Sequence, residues 1–156
     1  MRLKICAVGR LRAGPERDLI TDWSDRCNRT GRALGLGPLE IVEVDDRKGG
    51  GPASEGEQLL RHIPKGAKSV ALDERGRVLT SPDLAKQLAH WRDDGVPETA
   101  FLIGGADGLA ASVRKDADLV LSFGAMVWPH MLARAMLTEQ LYRATTILAG
   151  SPYHRE

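Results

Sequence analysis

The sequence lacks an excess of charge of either sign, has little cysteine and contains no long apolar run, and each absence removes a class of protein. Its 156 residues carry 22 Lys or Arg against 21 Asp or Glu, a formal charge of +1 and a pI near 7.8. No global basic excess marks the chain for a polyanion, so any such role must come from a local patch. Cys6 and Cys27 are the only cysteines and lack C-x-x-C spacing, which predicts reduced thiols in a cytoplasmic protein. No stretch approaches the roughly 18 apolar residues of a membrane span, and the N-terminal run Ile5-Cys6-Ala7-Val8 is too short for a signal-peptide core. The protein is expected to be soluble and unexported. Histidines 62, 90, 130 and 154 are scattered, with no H-E-x-x-H motif or cysteine cluster, so no metal is expected. No G-x-S-x-G elbow supports a Ser-His-Asp hydrolase. Repeats, low-complexity tracts and linkers are missing too, and 42% hydrophobic content lets one domain spanning 1–156 bury its own core.

What is present is a regular alternation of strand and helix patterns. Short apolar runs at Leu3–Val8, Leu39–Val44, Ser69–Leu72, Thr99–Ile103 and Leu119–Ser122 predict five buried strands. Between them, a charged helix runs from Pro15 to about Leu34 with Leu19, Trp23 and Cys27 at spacing four. Ser54 and Glu57 form a capping box for a helix that Pro64 ends, after a loop from Asp45 to Pro52 containing three consecutive glycines. Ser81 as N-cap with Pro82 at the first helical position opens a helix through Trp91 to Gly95, and a short Ala-containing helix precedes the fifth strand. This rhythm predicts an α/β fold, an open parallel sheet with helices on both faces. The ligand crevice of such a sheet lies beyond the carboxyl ends of its strands. That places it among the Leu72-Asp-Glu-Arg-Gly loop, the Ile103-Gly-Gly-Ala-Asp-Gly loop and the Ser122–His130 loop.

Those loops offer glycine backbone, Leu72, Phe123, Met126, Val127 and Trp128, with Arg75 as a cation. The Gly104–Gly108 turn lacks the G-x-G-x-x-G order and has no Gly-Lys-Ser/Thr, so an adenosine without phosphates suits the lining better than a polyphosphate. A basic patch lies in residues 1–32, with eight Arg or Lys against four acids, readable equally as a solvated helix face or a polyanion-facing surface. The last 35 residues carry the most pattern. Pro129 starts a helix of about five turns with Ala133, Leu137, Leu141, Ala144 and Leu148 on one stripe, and Gly150 ends it. Glu139 and Arg143 pair at i,i+4, for which a surface ion pair is the plain alternative. The tail Tyr153-His154-Arg155-Glu156 carries an aromatic, an imidazole and a guanidinium where chain ends usually fray.

The segments Leu102-Ile-Gly-Gly-Ala-Asp-Gly108, Pro129-His-Met-Leu-Ala-Arg-Ala-Met-Leu-Thr-Glu-Gln-Leu-Tyr-Arg-Ala144 and Ser151-Pro-Tyr-His-Arg-Glu156, in this order, resemble the small single-domain SPOUT methyltransferases that act on N3 of a pseudouridine in bacterial large-subunit (23S) ribosomal RNA. The resemblance spans the chain. It implies a Rossmann-like sheet with a C-terminal trefoil knot, S-adenosylmethionine as methyl donor, a homodimer and a ribosomal RNA substrate within the ribosome or large subunit. It implies donor contacts at Leu72, Gly104, Gly105 and the loop Phe123, Gly124, Ala125, Met126, Val127 and Trp128. Substrate or catalytic roles are implied for His130, Arg143, Tyr153, His154 and Arg155. The sequence departs from the family pattern at Gly124, Val127 and Trp128, where Ser, Thr and Leu are commoner, and in the 49–51 loop, commonly more basic. The base that accepts the imide proton is left open between His154 and solvent. A SPOUT methyltransferase of transfer RNA and a non-catalytic nucleotide- or RNA-binding module are the competing readings.

Overall fold

Alternation of apolar residues along β1 (Arg2–Val8) decides the layers: Leu3, Ile5 and Ala7 enter one core, while Cys6 and Val8 enter another on the opposite face. The computed structural model describes residues 1–47 and 49–155. Lys48 of the predicted Gly-rich loop and Glu156 of the predicted tail lie outside them. The remaining strands are β2 (Leu39–Val44), β3 (Lys68–Val78), β4 (Glu98–Ile103) and β5 (Leu119–Ser122). They form one sheet in the order β2-β1-β4-β3-β5, each pair parallel. Helices α1 (Pro15–Gly31), α3 (Ser81–Asp93) and α5 (His130–Leu148) cover the first core, and α2 (Gly51–Leu60) and α4 (Ala111–Asp116) the second. The predicted open parallel sheet with helices on both faces is therefore the observed one.

Several boundaries differ from the sequence expectation, each for a local reason. Helix α1 passes at Gly31 into a short 3-10 turn (Arg32–Leu34), which Gly35 closes at φ 67, with Leu36 N–H donating to Gly31 O at 3.0 Å. Helix α2 starts at Gly51, with Pro52 in its first turn, so Ser54 and Glu57 lie within the helix and do not cap it. Thr80, not Ser81, caps α3: its hydroxyl accepts the Asp83 N–H at 3.2 Å and donates to the Asp83 carboxylate at 2.7 Å. Ser81 instead donates to Gln140 Oε1 at 2.7 Å, tying α3 to α5. Strand β3 continues past Leu72 to Val78 through a register shift against β5 between Leu72 and Arg77. The predicted Asp73–Gly76 loop is thus a bulge, and at Gly76 the backbone approaches so closely that a Cβ would stand 2.6 Å from Val120 O.

Helix α5 returns from β5, at the sheet's edge, to pack on α1 and α3. Its buried face includes Leu137, Leu141 and Ala144 as the stripe predicted, while Ala133 and Leu148 are only half-buried. Arg134 is fully buried, and its Nη2 donates to the carbonyls of Val8 (3.1 Å) and Gly9 (3.0 Å). Two chain segments 125 residues apart are thereby fixed at the carboxyl end of β1. Gly150, at φ 68, closes the helix, with Ser151 N–H donating to Thr146 O at 2.9 Å.

Candidate active site

The carboxyl ends of β3, β4 and β5 enclose a cavity of about 320 Å³, within the size range of small-molecule sites. Of the residues predicted to hold the donor, Leu72, Gly104, Gly105, Phe123, Gly124, Met126, Val127 and Trp128 line it. Ala125 is exposed and does not. His130, at the first turn of α5, completes one wall. Ser122 joins two sides of the opening, since its Oγ accepts the Gly124 N–H at 3.1 Å and lies 3.2 Å from Glu74 O in the bulge of β3. Gly104 owes its identity to the turn itself. A Cβ there would collide with the Gly108 backbone, standing 2.6 Å from Gly108 O, before it reached the cavity.

Sequence reasoning singled out Arg75 but passed over the acids beside it. Asp73, Glu74 and Asp107 line the cavity with Arg75 and Arg114, and both guanidiniums are drawn to Asp73, at 3.7 and 3.5 Å. Three carboxylates against two arginines leave the wall net negative, which disfavours a polyphosphate and favours a ligand with a cationic centre. A sulfonium donor such as S-adenosylmethionine fits this lining: apolar side chains and strand-end backbone flank the space, and the acids complement the charge. Behind Gly105, burial and the nearby Asp107 and Asp46 raise the Glu55 carboxyl above the usual glutamate range. The adjacent acids lay in loops visible in the sequence, but nothing in spacing marked them as converging.

The predicted catalytic residues of the tail gather at the other end of α5. The tail is docked. Tyr153 donates its hydroxyl to Glu139 Oε1 at 3.0 Å, packs against Tyr142 with ring centroids 4.7 Å apart and the planes tilted by 54°, and lies under the Arg143 guanidinium at 4.8 Å. Arg143 grips Glu139 through Nη2 (2.6 Å) and Nε (3.0 Å), and Glu139 also accepts from Gln140 (3.0 Å). With side-chain exposures of 24% and 13%, this is not the solvated surface pair of the plain alternative. Burial, then the Glu139 bond, holds the Tyr153 hydroxyl above its usual range, and Glu139 raises Arg143. Arg143 Nη1 lies 3.3 Å from His154 Nδ1. A guanidinium can only donate, so Nδ1 is the acceptor and the neutral ring carries its proton on Nε2, a buried atom without a partner. Arg155 is exposed.

The two groups do not meet within one chain. His130 and Arg143 are 13 residues apart on one helix, about 20 Å along its axis. Among the described residues no group of three or more His, Cys, Asp or Glu could hold a metal ion, and no helix is long and apolar enough to cross a membrane. Burial pushes both free thiols, Cys6 and Cys27, up to about 12, which removes them as nucleophiles at neutral pH.

Residues 1–154 match the family model for predicted SPOUT methyltransferases. The chain is 63% identical over 155 residues to the ribosomal RNA large subunit methyltransferase H of Dinoroseobacter shibae, covering 99% of both chains. It is 59% identical over 155 residues to the protein of the same name from Ruegeria sp., again covering 99% of both. In fold, it matches a probable methylase family protein from Haemophilus influenzae with a TM-score of 0.54 at 11% identity, covering 99% of this chain and 70% of that one.

Proposed function

The chain belongs to the SPOUT methyltransferase family, and from that membership we propose that it transfers a methyl group from S-adenosylmethionine to N3 of a pseudouridine in large-subunit (23S) ribosomal RNA, on the assembled ribosome. The observation that carries the reaction class is the cavity at the strand ends, walled by glycine backbone and net acidic. The choice of RNA rests on relatives 59% to 63% identical that are named for it. Such an enzyme works in the cytoplasm, where ribosomes are.

The bound donor supplies an electrophilic methyl group, and acceleration comes chiefly from holding donor and acceptor in line. The residues of the tail do the acceptor's part. Tyr153 offers a ring for the extruded base to stack on, and Arg143 and Arg155 stabilise negative charge developing on the imide. When the base docks and uncovers it, His154 Nε2–H, buried and unpartnered in the free chain, donates to a carbonyl oxygen flanking N3, and solvent takes the N3 proton. The contact from Arg143 to Nδ1 favours this donor role over general base catalysis, because the remaining ring nitrogen already carries its proton.

A homodimer reconciles the separation of the two groups. Helix α5 has the donor cavity at its start and the tail at its end, so two copies paired antiparallel along α5 would set the tail of one beside the cavity of the other. Leu132 and Met136, half-exposed on α5 and packed into neither core, suit that interface. The return of α5 across the sheet from its edge strand suits the trefoil knot of the family. A labelled-methyl assay on ribosomes, free ribosomal RNA and transfer RNA tests the reading. Label in ribosomes, mapped to a pseudouridine, is expected. Label in transfer RNA alone, or saturable donor binding with no transfer to any RNA, overturns it in favour of the competing readings.

A further inference from the structure

Of the eight basic residues of the N-terminal patch, three are paired, two (Arg29 and Arg32) are exposed at the end of α1 and in the turn after it without an ion pair among the described residues, and three gather in one place. Arg2 and Lys4 turn to Glu98 at the amino end of the sheet, at 3.2 and 2.9 Å, and Arg26 pairs with Asp22 at 2.9 Å. Arg10, Arg12 and Arg17 are exposed and have no carboxylate within ion-pair distance among the described residues. They do not point into empty space at random. With Arg47, already paired to Asp45, they line a groove of about 670 Å³ together with Leu11, Ala13 and Met131, and Asp46 is its one lining acid among the described residues.

The groove has a fixed position relative to the donor cavity. Its floor is the β1–α1 loop, pinned where Leu11 N–H donates to Glu43 Oε2 at 2.8 Å and where buried Arg134 holds the carbonyls of Val8 and Gly9. Met131 of the groove and His130 of the cavity are consecutive on α5, and a Cβ at Gly9 would stand 3.3 Å from the first and 3.6 Å from the second. A positive trough thus runs up to the mouth of a net negative cavity. Free arginines at this spacing would repel one another if left without anions, while a chain of phosphates would supply them in series.

We propose that the groove between the β1–α1 loop, Arg17 and the Asp46–Arg47 turn binds the sugar–phosphate backbone of the RNA strand flanking the target nucleotide. This rests on the reading of the chain as a ribosomal RNA methyltransferase, and it gives that reading a surface on which the RNA backbone is held.

The test compares two variants of equal charge, Arg10→Gln/Arg12→Gln/Arg17→Gln and Lys65→Gln/Lys86→Gln/Lys115→Gln, for binding to purified ribosomes across a salt series. Three lost phosphate contacts at a slope of about 0.7 each should flatten the log–log salt dependence by about 2 and weaken binding about 100-fold at 0.1 M salt. The arginine variant is expected to show both effects with unchanged S-adenosylmethionine affinity by calorimetry, and the lysine variant neither. Equal losses in both variants, an arginine variant that binds like wild type, or wild type that binds no ribosomes would each overturn the groove. Wild type that binds ribosomes through these arginines yet transfers no methyl group would leave the groove standing and remove the proposed reaction instead.

Discussion

At its His130 end, α5 borders a cavity walled by glycine backbone and by a loop whose Met126 and Val127 are 72% and 80% exposed. At its Leu148 end, the chain turns back at Gly150, and Tyr153, Glu139, Arg143 and His154 Nδ1 join in a compact network that leaves His154 Nε2 buried and without a partner. The first end holds space and little internal bonding, as a site that closes on a ligand should. On the proposed reading, the second end is largely bonded before any substrate arrives, so its ring and guanidinium are held in place, while the buried Nε2–H of His154 has to be uncovered by the docking base. On that reading, one helix therefore carries a receiving end and a presenting end. Changes at each should separate donor affinity from transfer rate.

Deleting 152–156 should have the largest effect, lowering methyl transfer about 10³-fold through loss of the donors that stabilise the imide, while calorimetric S-adenosylmethionine affinity stays within a factor of two or so. Equal loss of donor binding would merge the two ends into one site. Gly104→Val does the opposite. Because even a Cβ there meets the Gly108 backbone, the turn must shift, and donor affinity should fall about 100-fold, while the tail network, read from the Tyr153 environment by NMR, is untouched. His154→Ala should cost about 100-fold in transfer, with a loss that is the same across pH. A loss that shrinks as pH rises toward the imide pKa would make His154 the base after all.

The smallest effect concerns docking of the tail. The Tyr153 hydroxyl is held above its usual range by burial and by Glu139, so its contribution is fully present below the unfolded value, about 10, and disappears as pH rises through the folded value. An ultraviolet titration should show one tyrosine ionising later than a free phenol. Glu139→Gln should bring it back toward the ordinary range.

The sheet and its five helices were legible because burial on both faces leaves short apolar runs, and crossovers leave helical periods between them. The cavity was legible for the same reason, since strand ends and their loops can be counted along the chain. Misread points were those decided by a second segment. Arg134 looks like a solvated residue in mid-helix, although it precedes Leu137, Thr138 and Leu141 at helical spacings, and only the carbonyls of Val8 and Gly9 explain its burial. Asp73–Gly76 looks like a loop because the bulge that keeps it in β3 is set by Val120 and Leu121 of β5. The tail's docking depends on how α5 presents Tyr142 and Glu139, which composition at a chain end does not reveal.

Complementation between two inactive variants tests most directly whether the two ends of α5 act across a pair of chains. Gly104→Val keeps the tail and loses the donor site, and the 152–156 deletion keeps the donor site and loses the tail. Mixed one to one and allowed to exchange subunits, half the dimers are hybrids with one intact composite site of two, so activity should recover to about a quarter of wild type. No recovery in a mixture shown by mass spectrometry to contain the hybrid would contradict the account.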